Sequence, residues 1–290
     1  MANRLLTGVS FFFIYLLWLI PFRVLYILSD FVAFILYHAG YRKDVVVDNL
    51  TKCFPEMSKK EIKHITKLFY KNLADVLVEG IKSFTMSSEQ VKKRHKTINP
   101  EICERFFTEG KSLIGAPCHY GNWEWGSMSA GLYLQQPIIA FYKPLSNIYM
   151  DKYLKNSRSR YGTELVSIRE TTKSFEINSP KSSGFIMAAD QSPSNARSAI
   201  WVDFLGRKTA FLHGPEKHAR ANNIPIFFVD IQRVKRGYYE LELSLISEFH
   251  EKLAEGEITK IYAKKLEEAI IKKPENWLWS HRRWKLKEAV

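Results

Sequence analysis

The chain has 290 residues, 46% of them hydrophobic and 25% charged, which suits one large domain with a substantial core and excludes wholesale disorder. Lys and Arg number 43 against 30 Asp and Glu, a formal net charge of +13. Such an excess favours anionic partners: nucleic acid, anionic lipid headgroups, phosphorylated substrates or an acidic carrier protein. Cys53, Cys103 and Cys118 form no Cys-x-x-Cys pair, which argues against a disulfide framework or a cysteine-rich zinc site and for a reducing compartment.

Residues 5–20 carry no charge. At the helical rise this stretch covers roughly 24 Å, short of the ~30 Å hydrocarbon core. Pro21 and Arg23 interrupt it, and apolar character resumes over 24–37, broken by Asp30. The pattern predicts a membrane anchor over residues 1–40, as one tilted transmembrane helix or a kinked pair in the interface; a buried core helix is the alternative. Tyr15, Trp18, Tyr26, Tyr37 and Tyr41 flank the stretch as interfacial aromatics do. No small-residue cleavage site follows, which argues against a signal peptide. Arg42, Lys43 and the basic body orient the body toward the cytosol by the bias of positive charge, and the sequon at Asn49-Leu50-Thr51 is then a chance match.

Residues 41–290 read as one α/β domain. Helical periodicity runs over 61–84, preceded by Ser58 at capping-box spacing from Glu61. Residues 100–109 predict a short helix stopped by Gly110. Short apolar runs at 112–116, 137–142, 184–189 and 225–231 predict buried strands of a mostly parallel sheet covered on both faces. Strict alternation over 238–245 predicts a half-exposed strand near an edge, and 257–273 a charged amphipathic helix ended by Pro274.

The run at 112–116 leads directly into Pro117-Cys118-His119-Tyr120-Gly121-Asn122-Trp123-Glu124. A histidine just past a strand's carboxyl end sits where α/β sheets place ligands. Gly121 gives the loop freedom to bring Glu124 back toward His119. A carboxylate on one imidazole nitrogen fixes the tautomer and raises the basicity of the other, which is what removing a proton from a hydroxyl requires. The competing reading is a structural histidine with a surface glutamate. Cys118 reads as a small buried packing residue, because neighbours at a strand end point opposite ways. His213 and His218 lie five apart, on no common helix face, so a metal site is not expected.

His119-x-x-x-x-Glu124 resembles the His-x4-Asp/Glu signature of glycerolipid-type acyltransferases, and the fuller HYGNWE resembles the late acyltransferases of lipid A biosynthesis. Further blocks resemble that family in order: Val47–Leu50, Phe54-Pro55-Glu56, Tyr142-Lys143-Pro144-Leu145-Ser146-Asn147 with Asp151, Arg158, Arg160 and Gly162, Ala189-Asp190-Gln191-Ser192-Pro193, Phe204-Leu205-Gly206 with Thr209, and Trp279–Lys285. The resemblance implies an α/β/α sandwich with a membrane anchor. It implies transfer of a fatty acyl group from acyl carrier protein or acyl-CoA to a phosphorylated glycolipid on the cytoplasmic face of a bacterial inner membrane, without a cofactor. Carried over by residue, His119 becomes the general base and Glu124 its orienting partner. Attack is direct, since no Gly-x-Ser-x-Gly elbow appears.

Candidate donors to the tetrahedral intermediate are Asn122, amides near Gly121, and Arg160 or Arg169. Lys143, Asp190 and Gln191 fall to the substrate-binding rim, or, for the last two, to an Asx turn before Pro193. The basic closing segment Arg282-Arg283-Trp284-Lys285 reads as a membrane-interface element, a nucleic-acid patch, or a piece folded back on the body. Scattered basic residues without a binding motif argue against nucleic acid. A lipid hydrolase using the same His-Glu pair on water is the remaining alternative.

Overall fold

The computed structural model describes residues 8, 14–16 and 19–288. Ten α-helices of the described residues carry labels here: α1 Phe22–His38, α2 Lys43–Cys53, α3 Lys59–Lys82, α4 Ser88–Arg94, α5 Glu104–Thr108, α6 Trp123–Tyr133, α7 Ile148–Ser159, α8 Thr171–Asn178, α9 Gly214–Asn222 and α10 Glu257–Lys272. The strands are β1 His95–Thr97, β2 Leu113–Pro117, β3 Ile138–Tyr142, β4 Thr163–Ser167, β5 Gly184–Ile186, β6 Ala199–Phe204, β7 Arg207–Leu212, β8 Ile226–Lys235 and β9 Tyr238–Ser247.

Seven strands form one sheet in the order β1-β9-β8-β2-β5-β3-β4. Strands β8, β2, β5, β3 and β4 run parallel, while the hairpin turn between β8 and β9 reverses β9 and its short partner β1. The expected mostly parallel α/β sheet is therefore present. Strand β9, expected near an edge, lies one place in, with the three residues of β1 paired along Tyr239–Leu241 on its outer side. The antiparallel β6–β7 hairpin forms a separate two-stranded sheet.

Alternation along β2 divides the core into two layers, as the pleat requires. Ile114 and Ala116, with Cys118 just beyond the strand, pack into the large cluster that holds α10 and the closing tryptophans. Leu113, Gly115 and Pro117 face the other way, toward α6. The expected helix at 61–84 is α3 followed by a single 3₁₀ turn, and its Ser58–Glu61 capping box forms in both directions. Residues 100–109 split into a 3₁₀ turn and α5.

Of the two N-terminal expectations, a single spanning helix is not found among the described residues. The stretch 5–20 lies mostly outside the described residues. Among the described residues no single helix is long and apolar enough to cross a membrane; only α1 and α2 together pass that test, and they meet at 84°. Helix α1 packs along α3 through Leu25, Ser29 and Ala33, all buried. Its opposite face leaves Val24, Ile27, Leu28, Phe31, Phe34 and Ile35 exposed. Their spacing is that of one helical stripe, so α1 presents an apolar face outward.

Two carboxylates one turn apart on α3 fasten α1. Asp75 accepts from Ser29 Oγ at 2.6 Å and pairs with Arg233 and Arg236. Glu79 accepts from Tyr26 Oη at 2.7 Å. The turn between β8 and β9 approaches so closely that any side chain at Gly237, whose φ is +74°, would collide with the Tyr26 hydroxyl.

Candidate active site

His119 follows the carboxyl end of β2, and a segment from the far end of the chain holds its loop. Leu278 N donates to the His119 carbonyl at 3.1 Å, and Gly121 N to the Asn276 carbonyl at 3.1 Å. Gly121 has φ +61°, and a Cβ there would run into the Ile231 carbonyl, so only glycine passes this point without strain.

The ring of His119 is 22% exposed and both of its nitrogens are partnered. Nδ1 lies 2.7 Å from Asp190 Oδ1. The same carboxylate takes the His119 backbone N–H at 2.8 Å and the Trp277 indole N–H at 2.9 Å on Oδ2. Asp190 is 2% exposed. Burial alone would raise its pKa, but the His119 charge and three donors outweigh that and hold it below the usual carboxylate range. Burial likewise opposes charge on His119, yet Asp190 overcomes it, with a smaller contribution from Glu124, and the imidazole titrates above its ordinary value. With the Nδ1 proton directed at Asp190, Nε2 carries the lone pair. The Gln191 amide nitrogen faces that lone pair at 3.1 Å. This is the arrangement of a general base whose tautomer a buried acid fixes.

Glu124 is placed differently from the expectation. It sits in the first turn of α6, and its Oε2 pairs with Arg158 Nη2 at 2.5 Å rather than with the ring. Arg158 is only 4% exposed on its side chain while Glu124 is 42% exposed. Arg158 Nη1 has no hydrogen-bond partner among the described residues. Glu124 therefore acts on His119 through space and on Arg158 directly.

Beside His119, an apolar cavity of about 80 Å³ runs between α6 and the sheet. Pro117 and Trp123, on either side of the histidine loop, contribute to its wall, and the Trp123 ring lies 5.4 Å from the imidazole. Gly115, Gly126, Ala130 and Gly184 keep the cavity open where larger side chains would close it. Such a hollow suits an unbranched hydrocarbon and offers it almost nothing polar.

The chain as a whole has counterparts among known sequences. Residues 3–286 match the model for "Bacterial lipid A biosynthesis acyltransferase". The chain belongs to that family. Similar curated proteins include the lipid A biosynthesis palmitoleoyltransferase of Escherichia coli, 23% identical over 245 residues, which is 84% of this chain and 79% of the relative. The lipid A biosynthesis acyltransferase of Shigella flexneri matches to the same extent. The lipid A biosynthesis lauroyltransferase of Escherichia coli is 25% identical over 247 residues, 84% of this chain and 79% of that one. Membership makes the chain an acyltransferase of lipid A biosynthesis.

In this acyltransferase the sequence-derived site residues fall into two groups. His119, Asp190 and Gln191 meet, with Glu124 close by. Asn122 does not reach the cleft: it is fully buried, its Oδ1 caps α6 on Trp125 N, and its Nδ2 donates to Glu79. Arg160 donates to the carbonyls of Ser83, Phe84 and Met86, so its guanidinium anchors the turn after α3. Lys143 and Arg169 are exposed beyond β3 and β4, two and three strands from β2. Arg158, Trp277 and Glu79 belong to the site's surroundings and were not singled out for it by spacing.

The closing segment folds back on the body. Trp277 and Trp279 are buried, and Arg283 donates to the Ala210 carbonyl at 2.6 Å. Cys118 is buried with its thiol pKa well above the usual value because burial penalises the thiolate. No group of three or more His, Cys, Asp or Glu among the described residues could hold a metal ion.

Proposed function

We propose that this protein moves a fatty acyl group from an acyl-thioester to a hydroxyl of a lipid A precursor, with His119 as general base and Asp190 as the acid that orients it. The observation that carries the reading is the His119 Nδ1–Asp190 pair at 2.7 Å, beside an apolar cavity, in a chain of this family.

The acceptor hydroxyl takes the place of the Gln191 amide at Nε2 and gives up its proton there as its oxygen attacks the thioester carbonyl carbon. Collapse of the tetrahedral intermediate breaks the C–S bond, and the departing sulfur recovers the proton from His119. Asp190 stabilises the imidazolium between these steps. Asn122 and Arg160 are committed elsewhere, so Arg158, with Nη1 unpartnered among the described residues, is the side-chain candidate for the developing oxyanion. Glu124 holds that guanidinium in place.

The acyl chain lies in the cavity between α6 and the sheet. The exposed stripe of α1 rests on a membrane, proposed to be the cytoplasmic face of the bacterial inner membrane, with the net charge of +13 favouring anionic headgroups, the acceptor's phosphates and an acidic carrier protein as donor. Radiolabelled acyl-thioester supplied with a lipid A precursor tests the reading. Label in the glycolipid supports it; label recovered only as free fatty acid replaces it with a hydrolase.

A further inference from the structure

Glu79 is the most completely enclosed carboxylate near the site, with no exposed surface. It lies on α3 and touches neither His119 nor the apolar cavity. Three donors converge on it: Tyr26 Oη from α1 on Oε1 at 2.7 Å, Tyr239 Oη from β9 on Oε2 at 2.8 Å, and Asn122 Nδ2 on Oε2 at 2.6 Å. Its carbonyl takes the Trp125 indole N–H at 3.0 Å. The next residue, Gly80, faces α6, where a Cβ would make an ordinary contact with Glu124 Cγ at 3.7 Å. An ionised carboxylate in such a place is expensive unless its oxygens are satisfied, and burial pushes this one up to about 7.

Asn122 is the only residue of the 118–124 loop whose side chain joins the loop to α3 through a charged partner. Its Oδ1 caps α6 while its Nδ2 is held by Glu79. His119 lies three residues upstream of it and Glu124 two downstream. A cap fixed from both ends sets where α6 begins, and with it the distance between the imidazole and the Glu124–Arg158 pair. We propose that Glu79 is a positioning residue for acyl transfer, holding the Asn122 cap and thereby the spacing of His119 and Glu124. The proposal rests on the reading of His119 as the base.

Glutamine at position 79 tests the logic of the contacts. Its Oε1 can accept from Asn122 and Tyr239 as Oε2 does now, while its NH₂ donates to the Tyr26 oxygen. Alanine can do neither. Steady-state kinetics on the full chain, with acyl-thioester and lipid A precursor, would compare Glu79→Ala, Glu79→Gln, Asn122→Ala and the double alanine variant, each checked by thermal melt to be folded at the assay temperature.

Glu79→Ala should lower kcat about 10- to 100-fold with KM unchanged, the scale expected when reacting groups are misplaced by up to an ångström. Glu79→Gln should recover most of that loss. Asn122→Ala should lose as much as Glu79→Ala, and the double variant no more than either single one, because both remove the same link. Wild-type kcat in Glu79→Ala or Asn122→Ala overturns the proposal, as does a Glu79→Gln enzyme as slow as Glu79→Ala, or losses that multiply in the double variant. Should Glu79→Ala fail to fold, the Asn122→Ala result decides alone. His119→Ala in the same assay separates the two levels: if it turns over, the base assignment has failed, whereas a dead His119→Ala beside a fully active Glu79→Ala refutes only the role of Glu79.

Discussion

Replacing Asp190 by asparagine changes one atom in the network, and the structure dictates how the amide must sit. The Oδ2 position receives two N–H donors, from the His119 backbone and the Trp277 indole. The asparagine oxygen must occupy it, since an NH₂ there would face both donors. The NH₂ then points at His119 Nδ1, 2.7 Å away in the wild type. Nδ1 must become the acceptor, so the proton moves to Nε2 and the lone pair leaves the side where the hydroxyl arrives. The carboxylate's charge disappears as well, leaving burial to push the imidazole pKa down from its raised position.

The same exchange in a Ser-His-Asp triad costs about 10⁴ in kcat through the wrong tautomer, and general-base contributions run about 10² to 10⁴. The variant should therefore lose about 10² to 10⁴ in kcat, or about 3 to 5 kcal/mol of barrier stabilisation. The assay is acyl transfer to a lipid A precursor across pH, with ¹⁵N imidazole shifts reporting the tautomer. Since the base form is active, wild-type turnover should rise with pH through a pKa above the ordinary histidine value, and any residual activity of the variant should titrate lower. Turnover within ten-fold of wild type, with Nδ1 still protonated, would refute the reasoning.

Three other perturbations follow from the geometry. Glu124→Gln leaves Arg158 without its counter-charge; because Glu124 is 42% exposed, the cost should be only about 1–2 kcal/mol, or about 2–6 °C in Tm. Turnover should fall roughly 10²-fold if Arg158 serves the oxyanion, and unchanged turnover per folded molecule would confine Glu124 to a structural role. Ala130→Leu fills the apolar cavity, so kcat/KM across saturated acyl-thioesters two carbons apart should shift to shorter chains, by about four-fold for each methylene excluded; an unmoved optimum would place the acyl chain elsewhere. Phe31 and Phe34 are 60% and 59% exposed on α1, so changing both to aspartate should leave the melt unaltered yet cut vesicle sedimentation about 10²-fold or more. Undiminished sedimentation would mean the body binds lipid by another face.

Local pattern made much of the fold legible. The capping box at Ser58 and the long stripe that follows it mark α3, and four apolar runs mark β2, β3, β5 and β8, although the run at 184–189 outlasts β5 by three residues and β8 continues four residues past the run at 225–231. Strand β1 escaped notice because three residues carry no periodicity, and its existence depends on β9, 144 residues away. The site shows the same division. His119 was identifiable from its place after β2, whereas its partner is 71 residues distant and spacing favoured the neighbour five residues on. Asn122 and Arg160 have the right chemistry for an oxyanion site, but tertiary contacts use up their donors on Glu79 and on the carbonyls after α3. The apolar stretch over 24–37 was legible as a candidate anchor, but not its division into a face packed on α3 and an exposed stripe, because hydropathy does not say which face the body covers.

Purified full-length enzyme and its His119→Ala variant, each given acyl-thioester and a lipid A precursor, should be compared by mass spectrometry of the glycolipid. Wild type should add the mass of one acyl group, and the variant, folded to the same melting temperature, should add none. A variant that acylates the precursor at the wild-type rate would contradict the assignment of the imidazole as base.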